Sequence, residues 1–398
     1  MLFSLLNVFR RKNKKAAVKN VLVVELFEMG AAVMAYPAIR FVQKKLQDVN
    51  IYCLCTDSVR QSWEILNVLP RENILSIKSG NLLQFAASLL RKIWRLRSAK
   101  IDLAIDFELF MRISSIIVFL TGARYKAGFH RYEHEGLYRG SFYDYRVAFN
   151  QNMHITRNYL ALVMTALYEK IDYPNYKAGI NLPEEDLPVY HSQNDVREAV
   201  ERKIRTCYPD FQGRQLILLS PDVGKNLSVR NYPKENYVAV VKKILAVRPS
   251  CLFLLIGVKE NEKTCAWIAG MVNDERCVDF CSRTASLQEL LELMSMSALL
   301  IGNDNGPLHF ASMTSCRILG LFSTDSPYVY GPVGKCVILY RFFHCSPCIS
   351  AYNHKKSRCV RNLCLETLEP SLVSDFALRL LDEKLKYHTI NNETPYLF

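Results

Sequence analysis

The sequence predicts an α/β protein made of two parallel-sheet domains, and three observations carry that reading. Short β-branched apolar runs alternate with amphipathic helical stretches from about residue 20 onward, the rhythm of βα units. The rhythm breaks around 172–195, where DYPNYKAGINLPEEDLPVYHSQND is rich in Pro, Asn and acidic residues, and then restarts. At 398 residues, the chain is also longer than one hydrophobic core usually supports.

In the first half, the strand candidates are Val21–Glu25, Ile51–Cys55 and Ile101–Asp106, with a helical pattern over Ala32–Leu46. In the second half, strands are expected at Leu216–Ser220, Cys251–Gly257, Ala298–Gly302 and Ile318–Phe322. Helices are expected there at Tyr237–Val247 and Leu287–Met296. The expected organisation is a basic N-terminal segment (1–19), a first domain (20–180), a linker and entry (181–212) and a second domain (213–370). A C-terminal helix and tail (371–398) should pack back toward the first domain. Two such sheets joined by one linker would form a cleft, with chemistry gathered where strands end and helices begin. Glu25, Glu28, Asp106 and Glu108 all lie at such ends.

Composition narrows the function classes. Half of the residues are apolar and 22% are charged, which excludes a disordered chain. Of the +13 net charge, residues 1–180 contribute +12, from 26 Lys and Arg against 14 Asp and Glu. The first half therefore expects an anionic partner. No zinc-finger, RNP-type or helix-turn-helix signature points to nucleic acid, so an anionic membrane surface or an anionic lipid-linked acceptor fits better. No apolar run reaches the ~18 residues of a spanning helix. MLFSLLNVF followed by Arg10, Arg11, Lys12, Lys14 and Lys15 reads as an interfacial anchor or as a solvated tail. Leu82–Arg97 is a second basic amphipathic stretch, with Phe85, Leu89, Ile93 and Leu96 on one face. Thirteen cysteines scattered through apolar segments, Cys53, Cys55 and Cys251 among them, suit reduced buried thiols.

The segment LLIGNDNGPLHFASMTSCRILGLFSTDSP (299–327) carries the most chemistry. A strand ends at Gly302, a loop holds Asp304, Asn305 and Gly306, and Pro307 opens a helix. This arrangement turns backbone N–H groups toward a phosphate, or else serves as an ordinary capping loop. In the first half, GFHRYEHEGLYRGSFYD (128–144) concentrates His130, Arg131, Glu133, His134, Glu135, Tyr138 and Arg139, as an acceptor-binding loop or a self-satisfied polar one. Cys345-Ser-Pro-Cys348 with Cys359 and Cys364 has spacing near that of a structural zinc site. Loosely packed thiols or a disulfide are the alternative.

NDNGPLHFA, LGLFSTDSP and YGPVG resemble the N/D-D-S/T-G-P-x-H-x-A region of the family 9 glycosyltransferases, the ADP-heptose:lipopolysaccharide heptosyltransferases. VLVVELFEMGAAVMAYPAIRFVQKKL (21–46), SVRNYPKENYVAVVKKI (228–244) and LLIGVKENE (254–262) are similar to further family segments in the same order. The resemblance implies a GT-B fold of two Rossmann-like domains facing a central cleft. It also implies inverting sugar transfer from a nucleotide-diphosphate sugar, ADP-heptose, to a lipid-linked saccharide at the cytoplasmic face of the membrane, with no cofactor or metal. Carried onto this chain, it puts the donor on the second half. Asp304 would face the sugar, and Asn305, Gly306, Pro307 and His309 would lie around the diphosphate. Ser220 belongs to the same set, Glu260 or Glu262 would bind the ribose, and Arg230 would balance charge on the leaving diphosphate. Gly30, Asp106, Glu108, His130, Arg131, Glu133 and Arg139 fall on the acceptor side. One position departs from the pattern. Family members carry an Asp, the general base, directly after the first loop glycine, but here Gly30 is followed by Ala31. Glu28, in the same loop, is the substitute candidate, although a carboxylate there also suits a helix start. Glu25, Asp106 and Glu108 are further candidates for that base.

Overall fold

The computed structural model describes residues 17–109, 111–130, 139–168, 188–350, 357–383 and 396–397. It divides into two compact units, Met1–Pro188 with Ser350–Lys356 and Val189–Ile349 with Ser357–Phe398. The basic residues 10–15 and the residues 131–138 lie outside the described residues.

The first unit is a six-stranded parallel sheet with the order β3-β2-β1-β4-β5-β6. Its strands are β1 (Asn20–Val24), β2 (Asn50–Thr56), β3 (Ile74–Ile77), β4 (Leu103–Asp106), β5 (Tyr125–Phe129) and β6 (Tyr145–Val147). Val21–Val24 and Leu103–Asp106 are buried throughout, as expected of central strands covered on both faces. The helix after β1, α1 (Met29–Lys45), packs against α5 (Ile155–Tyr168). The other helices of the unit are α2 (Arg60–Leu66), α3 (Leu82–Ser98) and α4 (Arg112–Leu120). The Asn81 side chain caps α3 by accepting from the Gln84 N–H at 2.9 Å. Leu96 of α3 and Ile117 and Val118 of α4 join Leu22, Val24 and Leu54 in one core.

The second unit repeats the plan as a seven-stranded parallel sheet with the order β13-β12-β11-β10-β7-β8-β9. Its strands are β7 (Gln215–Ser220), β8 (Cys251–Leu255), β9 (Cys277–Asp279), β10 (Leu299–Asn303), β11 (Arg317–Phe322), β12 (Cys336–Tyr340) and β13 (Tyr396–Leu397). Gly302 allows β10 and β7 to pack closely, since a Cβ there would sit 3.1 Å from both the Ser220 side chain and its carbonyl oxygen and crowd them. Each sheet is doubly wound, reversing direction between β1 and β4 in one unit and between β7 and β10 in the other. In open α/β sheets, ligands bind outside the carboxyl ends of the strands at such a reversal.

Two expectations about the chain path change. The expected linker contains α6 (Asn194–Cys207), which packs on α9 (Leu287–Ser295) of the second unit. Only Val200 and Ile204 of α6 are buried, so its sparse apolar stripe was hidden in an acidic, Pro-rich context. Tyr190 (2.9 Å) and Ser192 (2.7 Å) donate to Glu292, and Lys203 pairs with Glu289 at 2.6 Å, which fixes the helix there. The C-terminal helix, α13 (Pro370–Leu381), belongs to the second unit. Val373, Phe376, Ala377 and Leu380 bury themselves in its core, against α7 (Lys234–Val247).

Candidate active site

In the second unit, the loops after β7, β10 and β11 bring a cluster of charges together. The Arg230 guanidinium, at the end of a 3-10 turn (Lys225–Arg230), lies 3.5 Å from the Asp304 carboxylate and forms an ion pair with Asp325. Its Nε donates to Thr324 Oγ1 at 3.1 Å, and that hydroxyl donates to Asp325 at 2.9 Å. All four residues are buried. Burial pushes the Asp325 carboxyl up to about 7; the Asp304 charge adds to the shift, and Arg230 and Thr324 oppose it. Asp304 is also raised by burial, against the pull of Arg230. One cation thus faces two carboxylates, and near neutral pH Asp325 is poised to carry a proton.

Around this cluster, several polar atoms are sealed from solvent without a hydrogen-bond partner among the described residues: His309 Nδ1, Asn305 Oδ1, Ser323 Oγ and the Tyr330 hydroxyl. His309 lies on α10 (Gly306–Ala311), and burial together with Arg230 holds its imidazole neutral, with a pKa down to about 4. Burial and the two carboxylates push the Tyr330 phenol up, so it remains a hydroxyl donor. A buried polar group normally finds a partner, and these four atoms are left for a polar ligand or water to complete.

The site is held by residues that do not face it. The Asn303 side chain donates to the Pro221 carbonyl (2.8 Å) and accepts from the Tyr232 N–H (3.0 Å) and the Tyr237 hydroxyl (3.1 Å). This ties the loop bearing Arg230 to the end of β10. Asn305 Nδ2 donates to Ser220 Oγ at 2.9 Å, which spans the reversal between β7 and β10.

The expected donor residues Ser220, Arg230, Asp304, Asn305, Gly306, Pro307 and His309 therefore collect at one strand edge. Glu260 and Glu262, in the turn after β8 and at the start of α8 (Glu262–Val272), are exposed. Among the described residues, neither has a hydrogen bond or ion pair to the Arg230 cluster. Sequence reading missed Asp325, Thr324, Ser323 and Tyr330. For the first three the signal was the STDSP that follows β11, because β11 pairs with β10 and its tip must lie beside Asp304.

The first unit carries a different arrangement at its own reversal. Asp106 is fully buried and accepts from Arg139 (2.5 Å) and from the Tyr143 hydroxyl (2.5 Å). Arg139 also donates to Ser114 Oγ (2.7 Å) and to the Glu108 and Met111 carbonyls. Gly128 makes room for Tyr143, whose ring would lie 2.5 Å from a Cβ at that position. Asp106 and Arg139, expected to touch an acceptor, are interior groups that fix the ends of β4 and β5. Glu108 Oε1 accepts from the Leu26 N–H at 2.8 Å and so links the loops after β1 and β4. Burial pushes the Glu108 carboxyl up to about 7, opposed by the Leu26 N–H and reinforced by Asp106. Glu28 stands exposed at the entry to α1, whose first turn has no acidic residue, as Ala31 implies. Gly30 lies in that turn, and Glu25 is buried just past β1. His130 follows β5 at the same edge, while Arg131, Glu133, His134, Glu135 and Tyr138 fall outside the described residues.

The cysteines Cys345, Cys348, Cys359 and Cys364 are free thiols, one exposed, two half-buried and one buried. Among the described residues they do not form a metal-ligand group. A different trio, Cys265, Asp279 and Cys281, has its ligand atoms within 4.8 Å of one another.

The profile of glycosyltransferase family 9 (heptosyltransferase) matches residues 89–358. Lipopolysaccharide heptosyltransferase 1 of Campylobacter coli is 21% identical over 311 residues, covering 77% of this chain and 85% of the relative. Among solved structures, the E. coli ADP-heptose lipopolysaccharide heptosyltransferase II superimposes with a TM-score of 0.68 at 14% identity, covering 92% of this chain and all of that one. A family 9 glycosyltransferase from Veillonella parvula does so with a TM-score of 0.71 at 14% identity, covering 93% of this chain and 99% of its own. These likenesses match the two parallel-sheet units to the GT-B fold. With two thirds of its length matched by the family profile and the charge cluster lying in that span, the chain belongs to glycosyltransferase family 9, the heptosyltransferase family, and is a glycosyltransferase.

Proposed function

We propose that the protein transfers heptose from ADP-heptose, with inversion, onto a lipid-linked saccharide of the lipopolysaccharide core, at the cytoplasmic face of the membrane. The observation that carries this reading is the Arg230–Asp304–Asp325 cluster, ringed by the unpartnered His309, Asn305, Ser323 and Tyr330 atoms. A nucleotide diphosphate fits it chemically. Arg230 would turn from a carboxylate to the phosphates and stabilise the charge that builds on the leaving diphosphate. Asp304 would then be released to accept from sugar hydroxyls, and neutral His309 and Tyr330 would donate to oxygen. The donor would be held by the second unit and the acceptor by the first. Among relatives of this fold, the E. coli heptosyltransferase WaaC is solved with ADP and with an ADP-heptose analogue. Among the described residues, no helix is long and apolar enough to cross a membrane, so a lipid-linked acceptor would be reached from the surface.

The base for the acceptor hydroxyl is assigned to Glu28, exposed at the mouth of α1. The loss of a carboxylate at Ala31 favours a second reading, a catalytically silent protein that still binds nucleotide sugars. Calorimetric titration with ADP, UDP, GDP and ADP-heptose, repeated on Asp304→Ala, tests the donor. Selective adenine binding, with the contribution of the sugar lost in the variant, is expected, and preference for another nucleotide discards the heptose assignment. A turnover assay of Ala31→Asp then separates the two readings. If activity appears only in that variant, the natural chain is a binding protein.

A further inference from the structure

Helix α3 has two apolar faces, and among the described residues one is packed and the other exposed. Ile93 and Leu96 are buried, and Phe85 and Leu89 pack half-buried against the first core. On the opposite side, Leu83 is 81% exposed, Leu90 65% and Trp94 76%, and Leu82 at the helix start is 81% exposed. At 100° per residue, Leu83, Leu90 and Trp94 fall within ~40° of arc and form one stripe about 16 Å long. The charges beside this stripe have a single sign. Arg91, Lys92, Arg95, Arg97 and Lys100 flank or follow it, and no acidic residue occurs between Glu72 and Asp102. The basic groups are crowded. Lys92 is held below its ordinary value by burial and then by the neighbouring Arg95, Arg60 and Arg91. A cavity of about 530 Å³ lined by Arg97, Lys100, Asp102 and Arg124 continues the basic surface past the helix end.

We propose that the exposed face of α3 docks on an anionic lipid surface, with Leu83, Leu90 and Trp94 inserted among the acyl chains and the basic flank on the headgroups. An apolar stripe with an aromatic residue, bordered by Arg and Lys without acids, is the chemistry that holds a helix in the interfacial plane. A protein partner would be expected to meet mixed charge. Placement favours lipid as well. In a parallel βα unit the helix starts at the carboxyl end of its strand, so Leu82 and Leu83 lie at the same sheet edge as the Glu28 and Glu108 loops. A lipid-linked acceptor would then be presented to that edge without leaving the bilayer surface. This deepens the sugar-transfer reading by naming the surface that brings its acceptor, and its test uses neither donor nor acceptor.

The test uses the full chain and the fluorescence of Trp94. Of the three tryptophans, Trp63 is fully buried and Trp267 lies beside Lys234 at 4.0 Å, so Trp94 is the solvent-facing reporter. With vesicles of equal parts phosphatidylglycerol and phosphatidylcholine, its emission should shift to the blue and be quenched by brominated acyl chains. Vesicles of phosphatidylcholine alone should bind weakly. Leu90→Ser combined with Leu83→Ser should weaken co-sedimentation ~tenfold or more while Trp94 still reports, and unchanged far-UV dichroism would show the fold intact. Absence of a Trp94 shift overturns the proposal, as does undiminished vesicle binding by the double variant. Trp94-dependent self-association without vesicle binding would also overturn it, in favour of a second copy. If ADP binding fails while vesicle binding holds, the donor assignment falls and the docking surface stands.

Discussion

At the reversal of the first sheet, Arg139, Tyr143 and Ser114 close around Asp106 in a buried network. At the reversal of the second, Arg230 holds two carboxylates while His309 Nδ1, Asn305 Oδ1, Ser323 Oγ and the Tyr330 hydroxyl lack a hydrogen-bond partner among the described residues. Both points are built on the same strand order, and each is bridged by a hydrogen bond between residues 82 apart, Leu26 to Glu108 in one and Asn303 to Pro221 in the other. The difference shows how one scaffold serves two ends. A closed polar network specifies and rigidifies a fold, whereas an unfinished one leaves polar atoms for a ligand or water to complete.

The largest effect should come from opening the closed network. Arg139→Met leaves Asp106 buried without its cation and should cost about 3–5 kcal/mol in urea unfolding. A loss below about 1 kcal/mol would mean that Arg139 is not structural. Arg230→Ala should act on chemistry instead. Its kcat should fall about 10²–10³-fold, while stability changes less because Asp325 can take up a proton. If unfolding suffers as much as in Arg139→Met, the contrast between the two sites fails.

A pH titration sharpens the contrast further. A bound diphosphate favours the protonated form of Asp325, whose free-state pKa is near 7. ADP affinity should therefore be highest below that value and fall as pH rises through it, by up to about tenfold per pH unit. Asp325→Asn should flatten the dependence in calorimetry, and an unchanged slope would assign the proton elsewhere. The smallest effect is expected for Tyr330→Phe. Removing a hydroxyl without a partner should move stability by less than about 1 kcal/mol. ADP binding should weaken several-fold only if the phenol meets the ligand.

Much of this was legible in the sequence because central parallel strands are continuously apolar. Val21–Val24 and Leu216–Ser220 are hard to read as anything else. Asp304, Asn305 and His309 were legible because a strand, a glycine and a proline bracket them in sequence. Asp325 was not, because its place beside Asp304 depends on the pairing of β10 with β11. The burial of Asp106 and Arg139 was hidden for the same reason, since 33 residues separate the partners and nothing local ties them. Helix α6 was missed because only Val200 and Ile204 of it are buried, and its ion-pair partner Glu289 lies on a neighbouring helix.

The strand order carries a consequence for how the protein is made. In each unit the earliest strand is central, and its partner across the reversal pairs with it only after the intervening edge of the sheet has been synthesised. Arg230 emerges from the ribosome well before Asp304 and Asp325 exist to meet it. Such distant closures form slowly and late. The charge cluster therefore closes only after these distant pairings form, and a polypeptide interrupted before β10 could hold its first sheet yet lack both Asp304 and Asp325. The proposed donor site is thus assembled only once β11 has joined β10.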